Sequence, residues 1–330
     1  TIMNKFSSLL LLLLSVSCSI DAFTPVSLSG KHRSFSRCYA ESGPPQYQKR
    51  KAVLRGSEVV GDGSVMLHID HVHDDDGNDK GPLDYQPGHV IALEIQANGS
   101  IMDEKAAKDA QNNDGWMRGP YTITRSNENS FDILIKTVGT KSKVLASAAP
   151  GTPLRFGGKF KVPIAEGIAP NTDRIVMLST GVGIGPCVGA VENLLSTQFA
   201  GSIDLFASFR SEAEKPFADY LNDLSLEQTN FRYIPIITSA MGRLSASKEN
   251  VELVINKDIC PFTKTHYHLI GNGQMVTEWK TGLEKAGVPN ERITIENYFN
   301  HKAEPSVESI DRISEVFVAA AAESTLVSVK

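Results

Sequence analysis

The chain is poor in cysteine and has no excess of positive charge, and each shortage closes off a class of function. Its 330 residues contain four cysteines. Cys18 and Cys38 fall in an N-terminal segment of unusual composition, which leaves Cys187 and Cys260 for the body of the protein. Two thiols are too few for a four-cysteine iron–sulfur cluster or a disulfide framework. The formal net charge of −5 gives no electrostatic reason to expect nucleic acid. In the expected mature part no apolar run is long enough to form a bilayer-spanning helix, so no integral membrane anchor is expected there. Neither a Gly-x-Ser-x-Gly elbow nor Walker A spacing occurs, and there is no internal repeat. With 41% apolar and 22% charged residues, the composition is that of a globular protein long enough for two domains.

Two histidine groups invite a metal reading and do not sustain it. His68, Asp70, His71, His73 and Asp74 to Asp76 resemble a ligand cluster. With Gly77 at the sixth position of an EF-hand loop, however, the first would be Val72 and the twelfth Leu83, neither able to ligate. Strand alternation would also send neighbouring side chains to opposite faces. A solvated hairpin is the expectation, with no metal. His266 and His268 share one face of a core-type strand and read as packed histidines.

The N-terminus reads as a targeting segment. Lys5 precedes an apolar stretch, Leu9 to Leu14 extended by Val16, and the small residues Ser17 and Ser19 follow. Ala22-Phe23-Thr24-Pro25 then leads into a Ser-rich, basic stretch with Lys31, Arg33 and Arg37, where Glu41 is the only acid before Arg50. This looks like the two-part presequence of algae with secondary plastids, and that resemblance implies a plastid location. The alternative is a secretory signal followed by a spacer. The sequon Asn98-Gly99-Ser100 reads as a chance triplet.

From Val53 the pattern becomes strand-like. Val65 to Asp70, Val90 to Ile95 and Phe131 to Lys136 show partial alternation, separated by Gly61-Asp62-Gly63, Pro87-Gly88 and Pro150-Gly151. Little helical period occurs here, apart from Asp103 to Gln111, read as a loop insertion. A small antiparallel barrel is expected. The second half alternates instead. Strands are expected at 174–179, 202–208, 230–237, 265–270 and 292–296. Between them lie helical faces built from Val188, Val191, Leu194 and Leu195, from Phe217, Tyr220, Leu221 and Leu224, and from Val276, Trp279 and Leu283. That alternation implies a doubly wound parallel sheet with a ligand site at the carboxyl ends of its strands. The expected organisation is a presequence and linker over 1–46, a barrel over 47–170, an α/β domain over 171–300 and a tail over 301–330. In the tail Val307, Ile310, Ile313 and Phe317 are spaced for one helical face.

The richest stretch is 174–187, where a buried-type strand runs through Thr180 into Gly181-Val182-Gly183-Ile184-Gly185-Pro186 and Cys187. Glycines at such a turn allow close backbone approach, and a helix opening there points free N–H groups at an anion. Four further elements accompany it in order. Arg118-Gly119-Pro120-Tyr121-Thr122 precedes Gly139-Thr140-Lys141-Ser142, and Ile270-Gly271-Asn272-Gly273-Gln274-Met275 precedes Ile295-Glu296-Asn297-Tyr298-Phe299. Over roughly residues 50 to 300 this arrangement resembles the ferredoxin–NADP reductase superfamily: an FAD-binding antiparallel barrel followed by a doubly wound NAD(P)-binding domain.

The resemblance implies roles residue by residue. Tyr121 would lie against the flavin ring with Thr122 facing its N5. Arg118 would neutralise flavin phosphate; Gly119 adds a residue between the motif arginine and tyrosine, which makes Arg125 an alternative. Gly139 and Ser142 would hold the flavin pyrophosphate, or form an ordinary solvated turn. Thr180, Gly181, Gly183, Gly185 and Pro186, with Gly271, Gly273 and Met275, would form the nicotinamide side. Arg210 and Ser211, at the end of the second parallel strand, favour NADP, with Arg243 a second phosphate partner and NAD an alternative. The family's cysteine in the late glycine element is Ile270 here, and Cys187 stands close to the first turn. Glu296 would assist proton and electron traffic, and Tyr298 or Phe299 would cover the flavin. The expected activity is hydride transfer between NADP(H) and FAD, with Thr122, Glu296 and Cys187 at the reacting centre. Electrons would pass to a small molecule or a small carrier such as ferredoxin or flavodoxin. The rival reading is a binding or assembly protein that keeps the fold with reduced catalysis, favoured by Gly119, Ile270 and the tail.

Overall fold

The computed structural model describes residues 49–73, 81–97, 103–255 and 262–327. The targeting segment, the aspartate run at 74–76, the sequon at 98–100 and Cys260 lie outside the described residues.

The first half forms a curled, barrel-like antiparallel sheet. Its strands are β1 (Arg50–Gly61), β2 (Ser64–Val72), β3 (Val90–Gln96), β4 (Trp116–Thr122), β5 (Arg125–Ser126), β6 (Ser130–Lys136) and β7 (Pro153–Gly157). They lie in the order β4-β3-β7-β1-β2-β6-β5. The β1–β2 hairpin turns at Asp62-Gly63, with Gly63 at φ 64°, which an Asp-Gly pair adopts at little cost. Alternation sends Val65, Leu67 and Ile69 of β2 into the barrel core, while Met66 and Leu134 point out of it into the core beneath the parallel sheet.

Two helices decorate this sheet, α1 (Glu104–Gln111) and α2 (Thr140–Ser147). The stretch from Asp103 to Gln111, expected as a loop insertion, is helical. Asp103 Oδ1 accepts the Ala106 N–H at 2.8 Å, and Ala106 and Ala110, one turn apart, are buried against the barrel. A capping aspartate and two small apolar residues at i and i+4 suffice to seat so short a helix.

The second half is a parallel sheet of β8 (Arg174–Thr180), β9 (Ser202–Phe209), β10 (Phe231–Ile237), β11 (Thr265–Asn272) and β12 (Ile293–Phe299), in the order β10-β9-β8-β11-β12. Successive strands run outward on one side from β8 and then resume on its other side at β11. The strand order therefore reverses between β8 and β11, and a crevice opens there at the carboxyl ends. Helices α3 (Ile184–Ser196) and α4 (Ala218–Glu227) accompany the core that also takes up Met66 and Leu134. Helices α6 (Lys248–Val254), α7 (Gly273–Lys285) and α8 (Val307–Val327) bury Val251, Trp279 and Phe317 in the core across the sheet, and the short α5 (Thr238–Met241) follows β10.

Two contacts fix the barrel against α3. A Cβ on Gly189 would lie 1.8 Å from the Thr124 carbonyl oxygen, so only glycine permits this approach of helix to barrel. Beside it, Arg125 donates from Nε to Glu192 Oε2 at 2.8 Å and from Nη2 to Oε1 at 2.5 Å, with its guanidinium 5.5 Å from the Phe217 ring centre. Arg125, the alternative to Arg118 for flavin phosphate, is thus engaged by a carboxylate in holding the two halves together.

Candidate functional site

A cleft of about 860 Å³ lies where the carboxyl ends of the parallel strands face β4 and β6 of the barrel. All five parallel strands contribute through the residues at or just beyond their ends: Ser179 to Val182, Ser208 to Arg210, Thr238, Asn272 with Met275, and Glu296 to Phe299. The barrel supplies Val90, Tyr121, Thr122, Leu134 to Lys136 and Val138, and the connection between the sheets adds Phe160 and Lys161. The walls are chiefly apolar, with a few polar groups converging, as expected of a site for planar organic ligands.

At its centre Thr122 Oγ1 donates to Glu296 Oε1 at 2.6 Å, joining the last residue of β4 to β12 of the other sheet. Both residues are buried. Burial raises the Glu296 carboxyl to about 6, opposed by the Thr122 hydrogen bond and the nearby Lys161 cation. Burial also pushes the Tyr298 phenol well above its usual value, and its hydroxyl is enclosed without a well-formed hydrogen bond. A buried polar atom left this way is a point at which a ligand can satisfy the site.

Of the residues singled out in the sequence, Tyr121, Thr122, Thr180, Gly181, Arg210, Arg243, Met275, Glu296, Tyr298 and Phe299 line this one cleft. Gly181 turns at φ 55° with open space where a Cβ would be, which leaves its backbone accessible. Thr180 Oγ1 accepts the Asn272 N–H at 2.7 Å, so the first glycine turn and the late glycine element are stitched together.

Other residues stand elsewhere. Gly183, Gly185 and Pro186 are buried. A Cβ on Gly185 would meet Thr124 Oγ1 at 2.7 Å and Leu134 Cβ at 2.8 Å, so this glycine serves helix–barrel packing rather than ligand approach. Gly271, at φ 118°, lies against Thr180, where a Cβ would come within 2.2 Å of Oγ1; Gly273 lies beneath His301. Cys187, expected at the reacting centre, is wholly buried in the core, and burial with the nearby Glu296 charge keeps its thiol protonated. It is neither exposed nor ionised, and does not line the cleft.

On the flavin side, Tyr121 folds over Gly119 toward the barrel core, and burial raises its phenol to about 12. Arg118 is exposed on β4 outside the cleft, with its N–H donating to Asp109 Oδ2 at 2.7 Å. Gly139 and Ser142 form the first turn of α2, not a simple loop. Ser142 Oγ accepts the Gly139 N–H at 3.1 Å and donates to the Gly139 carbonyl at 2.9 Å, so this hydroxyl caps its own helix. Ser211 follows β9 outside the lining.

Arg210 reaches the cleft already paired, its Nη2 lying 2.6 Å from Glu214 Oε1. Arg243 instead donates from Nη1 to the neutral Gln274 Oε1 at 3.0 Å, and among the described residues no carboxylate lies within ion-pair distance of it. The sequence reading missed Lys136, Lys161, Ser245 and Glu214 as lining residues. The alternating lysines in Gly158-Lys159-Phe160-Lys161 were the visible signal for Lys161; nothing local marked the others.

Among the described residues no group of three His, Cys, Asp or Glu side chains could hold a metal ion. His68 Nδ1 instead lies 2.8 Å from Asp132 on the neighbouring strand. His266 and His268 share Thr294 Oγ1, and burial lowers them to about 4 and about 3, which keeps both neutral.

No family model matches the sequence. A search of curated proteins gives the anthranilate 1,2-dioxygenase electron transfer component of Acinetobacter baylyi, 21% identical over 76% of this chain and 67% of that protein. Among solved structures, a ferredoxin NADP+ reductase from Neisseria gonorrhoeae with bound FAD and NADP superposes with a TM-score of 0.59 at 19% identity, over 78% of this chain and 100% of that one. The flavohem-like FAD/NAD-binding domain of nitric oxide dioxygenase from Vibrio cholerae superposes with a TM-score of 0.57 at 20% identity, over 76% and 98%.

Proposed function

We propose, for a chain with the two-domain fold of the ferredoxin–NADP reductase-like proteins, a flavin-dependent oxidoreductase that takes hydride from NADPH and passes electrons to a small acceptor. The observation that carries this reading is the Thr122–Glu296 hydrogen bond at 2.6 Å, which places one hydroxyl–carboxyl pair from both sheets in one cleft at the topological switch point. FAD, when bound, supplies the two-electron chemistry between nicotinamide and the acceptor. The chain binds, orients and manages the proton. Tyr298 and Phe299 would wall the flavin side, and the start of α2, which follows the cleft-lining Val138, would receive its phosphates. Gly181 and the first turn after β8 receive the dinucleotide. Thr122 Oγ1 would face the reacting edge, with Glu296 behind it to hold or release a proton.

NADP is favoured over NAD through Arg243, because Arg210 is already neutralised by Glu214. The acceptor is proposed to be a small electron carrier, ferredoxin or flavodoxin being examples, consistent with a relative named as an electron transfer component. One observation favours the alternative of a binding or assembly protein: Arg118, the motif arginine, lies outside the cleft that Tyr121 and Thr122 line.

Purified protein is expected to be yellow, and its flavin absorbance to bleach on addition of NADPH under anaerobic conditions. Yellow protein that stays oxidised with either nucleotide would support the binding protein, and colourless protein that cannot be reconstituted with FAD would remove both. A plastid location is proposed from the N-terminal composition. A fluorescent reporter carrying the first 50 residues is expected to enter plastids, and secretion of that reporter would overturn the proposal.

A further inference from the structure

The chain beyond Phe299 packs behind the cleft, against residues that line it. Asn300 and His301 cross the N-terminus of α7 so closely that a Cβ on Gly273 would lie 2.8 Å from His301 Cα. α8 then seats Ile313, Val316 and Phe317 in the core beside α7, where Gly282 allows Ile313 to approach. Two polar contacts continue inward from this extension. The Ser306 N–H donates to Glu278 Oε1 at 3.0 Å, and Arg312 Nη1 donates to the Ser245 carbonyl at 2.6 Å.

Glu278 is 1% exposed and stands at the hub. Its Oε2 accepts from Ser245 Oγ at 3.1 Å and its Oε1 from Gln274 Nε2 at 3.0 Å. Gln274 Oε1 in turn accepts from Arg243 Nη1. On the far side, Asn250 Nδ2 holds the same loop through the carbonyls of Met241 and Arg243, at 2.9 and 3.0 Å. A continuous chain of hydrogen bonds therefore runs from the C-terminal extension to Arg243 and Ser245, both of which line the cleft. A buried carboxylate is costly to keep where an apolar side chain would pack two helices equally well. Its retention is explained by the partners it places.

We infer that the extension after Phe299 determines specificity from behind the cleft, fixing Arg243 through Ser245, Glu278 and Gln274 to receive the 2′-phosphate of a nicotinamide dinucleotide. The inference rests on the proposed function and deepens it. In this role Arg312 is a positioning residue that touches no ligand.

The test is calorimetric titration of NADPH and NADH into Arg312→Ala, Arg243→Ala and the double variant, with Arg312→Lys as the conservative replacement. Arg312→Ala is expected to weaken NADPH about tenfold, as befits loss of a charged donor to a backbone carbonyl, and to leave NADH within about twofold. The double variant is expected to bind NADPH no worse than Arg243→Ala alone, because both substitutions break one linkage. Arg312→Lys is expected to recover most of the loss. Equal weakening of both nucleotides, or additive losses in the double variant, would overturn the inference and leave the proposed function standing. A wild-type protein that binds neither nucleotide would remove the proposed function and the inference with it.

Discussion

Thr122→Val is expected to lower turnover with NADPH about a hundredfold while flavin remains bound. The substitution keeps the shape of the side chain and removes its hydroxyl. In the structure that hydroxyl must donate to an ionised Glu296, so it offers only lone pairs to the cleft. Once Glu296 is protonated the bond can reverse, and Thr122 can donate into the cleft instead. The pair therefore converts one proton on a buried carboxyl into a change of hydrogen-bond sense at the reacting edge. Because burial holds Glu296 at about 6, that change falls close to physiological pH. The rate is expected to show an inflection near this value in the wild type and none in Glu296→Gln. An unchanged profile in Glu296→Gln would assign the inflection to another group.

Stability supplies an independent readout of the same carboxyl. Its folded value of about 6 lies above the ordinary 4.5. The stabilisation from holding the proton is complete below 4.5 and is lost as pH rises through 6. Glu296→Gln never carries the charge. It is expected to match the wild type at pH 4 and to exceed it at pH 8 by up to about 2 kcal/mol, read from denaturant melts at both pH values.

How much of this was legible in the sequence follows from how local each signal is. The parallel sheet was legible because its first strand is an unbroken apolar run, Ile175 to Leu178, and because strand-like and helix-like stretches alternate after it. The ligand crevice followed from topology, and ten of the residues singled out do converge there. Less legible was how individual side chains are shared between packing and the cleft. Gly183 and Gly185 look like a phosphate cradle in sequence, yet Gly185 is required by the closeness of α3 to Thr124 and Leu134, a distance set by packing between sheets. Cys187 stands close to a cleft-lining turn, but the chain from Gly183 onward is buried and carries it into the core. Arg210 and Arg125 both read as candidate phosphate partners, the first for NADP and the second as the alternative to Arg118 for the flavin. Their carboxylate partners, Glu214 and Glu192, differ in kind: one is four residues away, while the other is brought in from a different element. Helix α1 went unread because eight residues give too few turns for periodicity to outweigh a loop.

Gly189→Ala is expected to be among the most damaging single-methyl changes in the molecule. The added Cβ would fall 1.8 Å from the Thr124 carbonyl oxygen and 2.8 Å from Pro87 Cγ, and the first of these is backbone that cannot rotate away. Helix α3 must then retreat from the barrel, loosening the core shared by Met66, Leu134 and Val188. The expected cost is about 3 kcal/mol, a fall in melting temperature of roughly 6–12 °C. Gly56→Ala, which meets nothing within 4 Å, is the control and is expected to melt like the wild type. The functional consequence is larger than the thermal one. Thr122 belongs to the barrel and Glu296 to the parallel sheet, so their 2.6 Å bond depends on the native spacing of the two halves, to which the α3 contact contributes. A folded Gly189→Ala protein should therefore lose the inflection near pH 6 together with most of its turnover, at a position whose side chain touches neither ligand. A variant that melts low but retains the wild-type pH profile would show that the cleft is held by other contacts, the Arg125–Glu192 pair foremost among them.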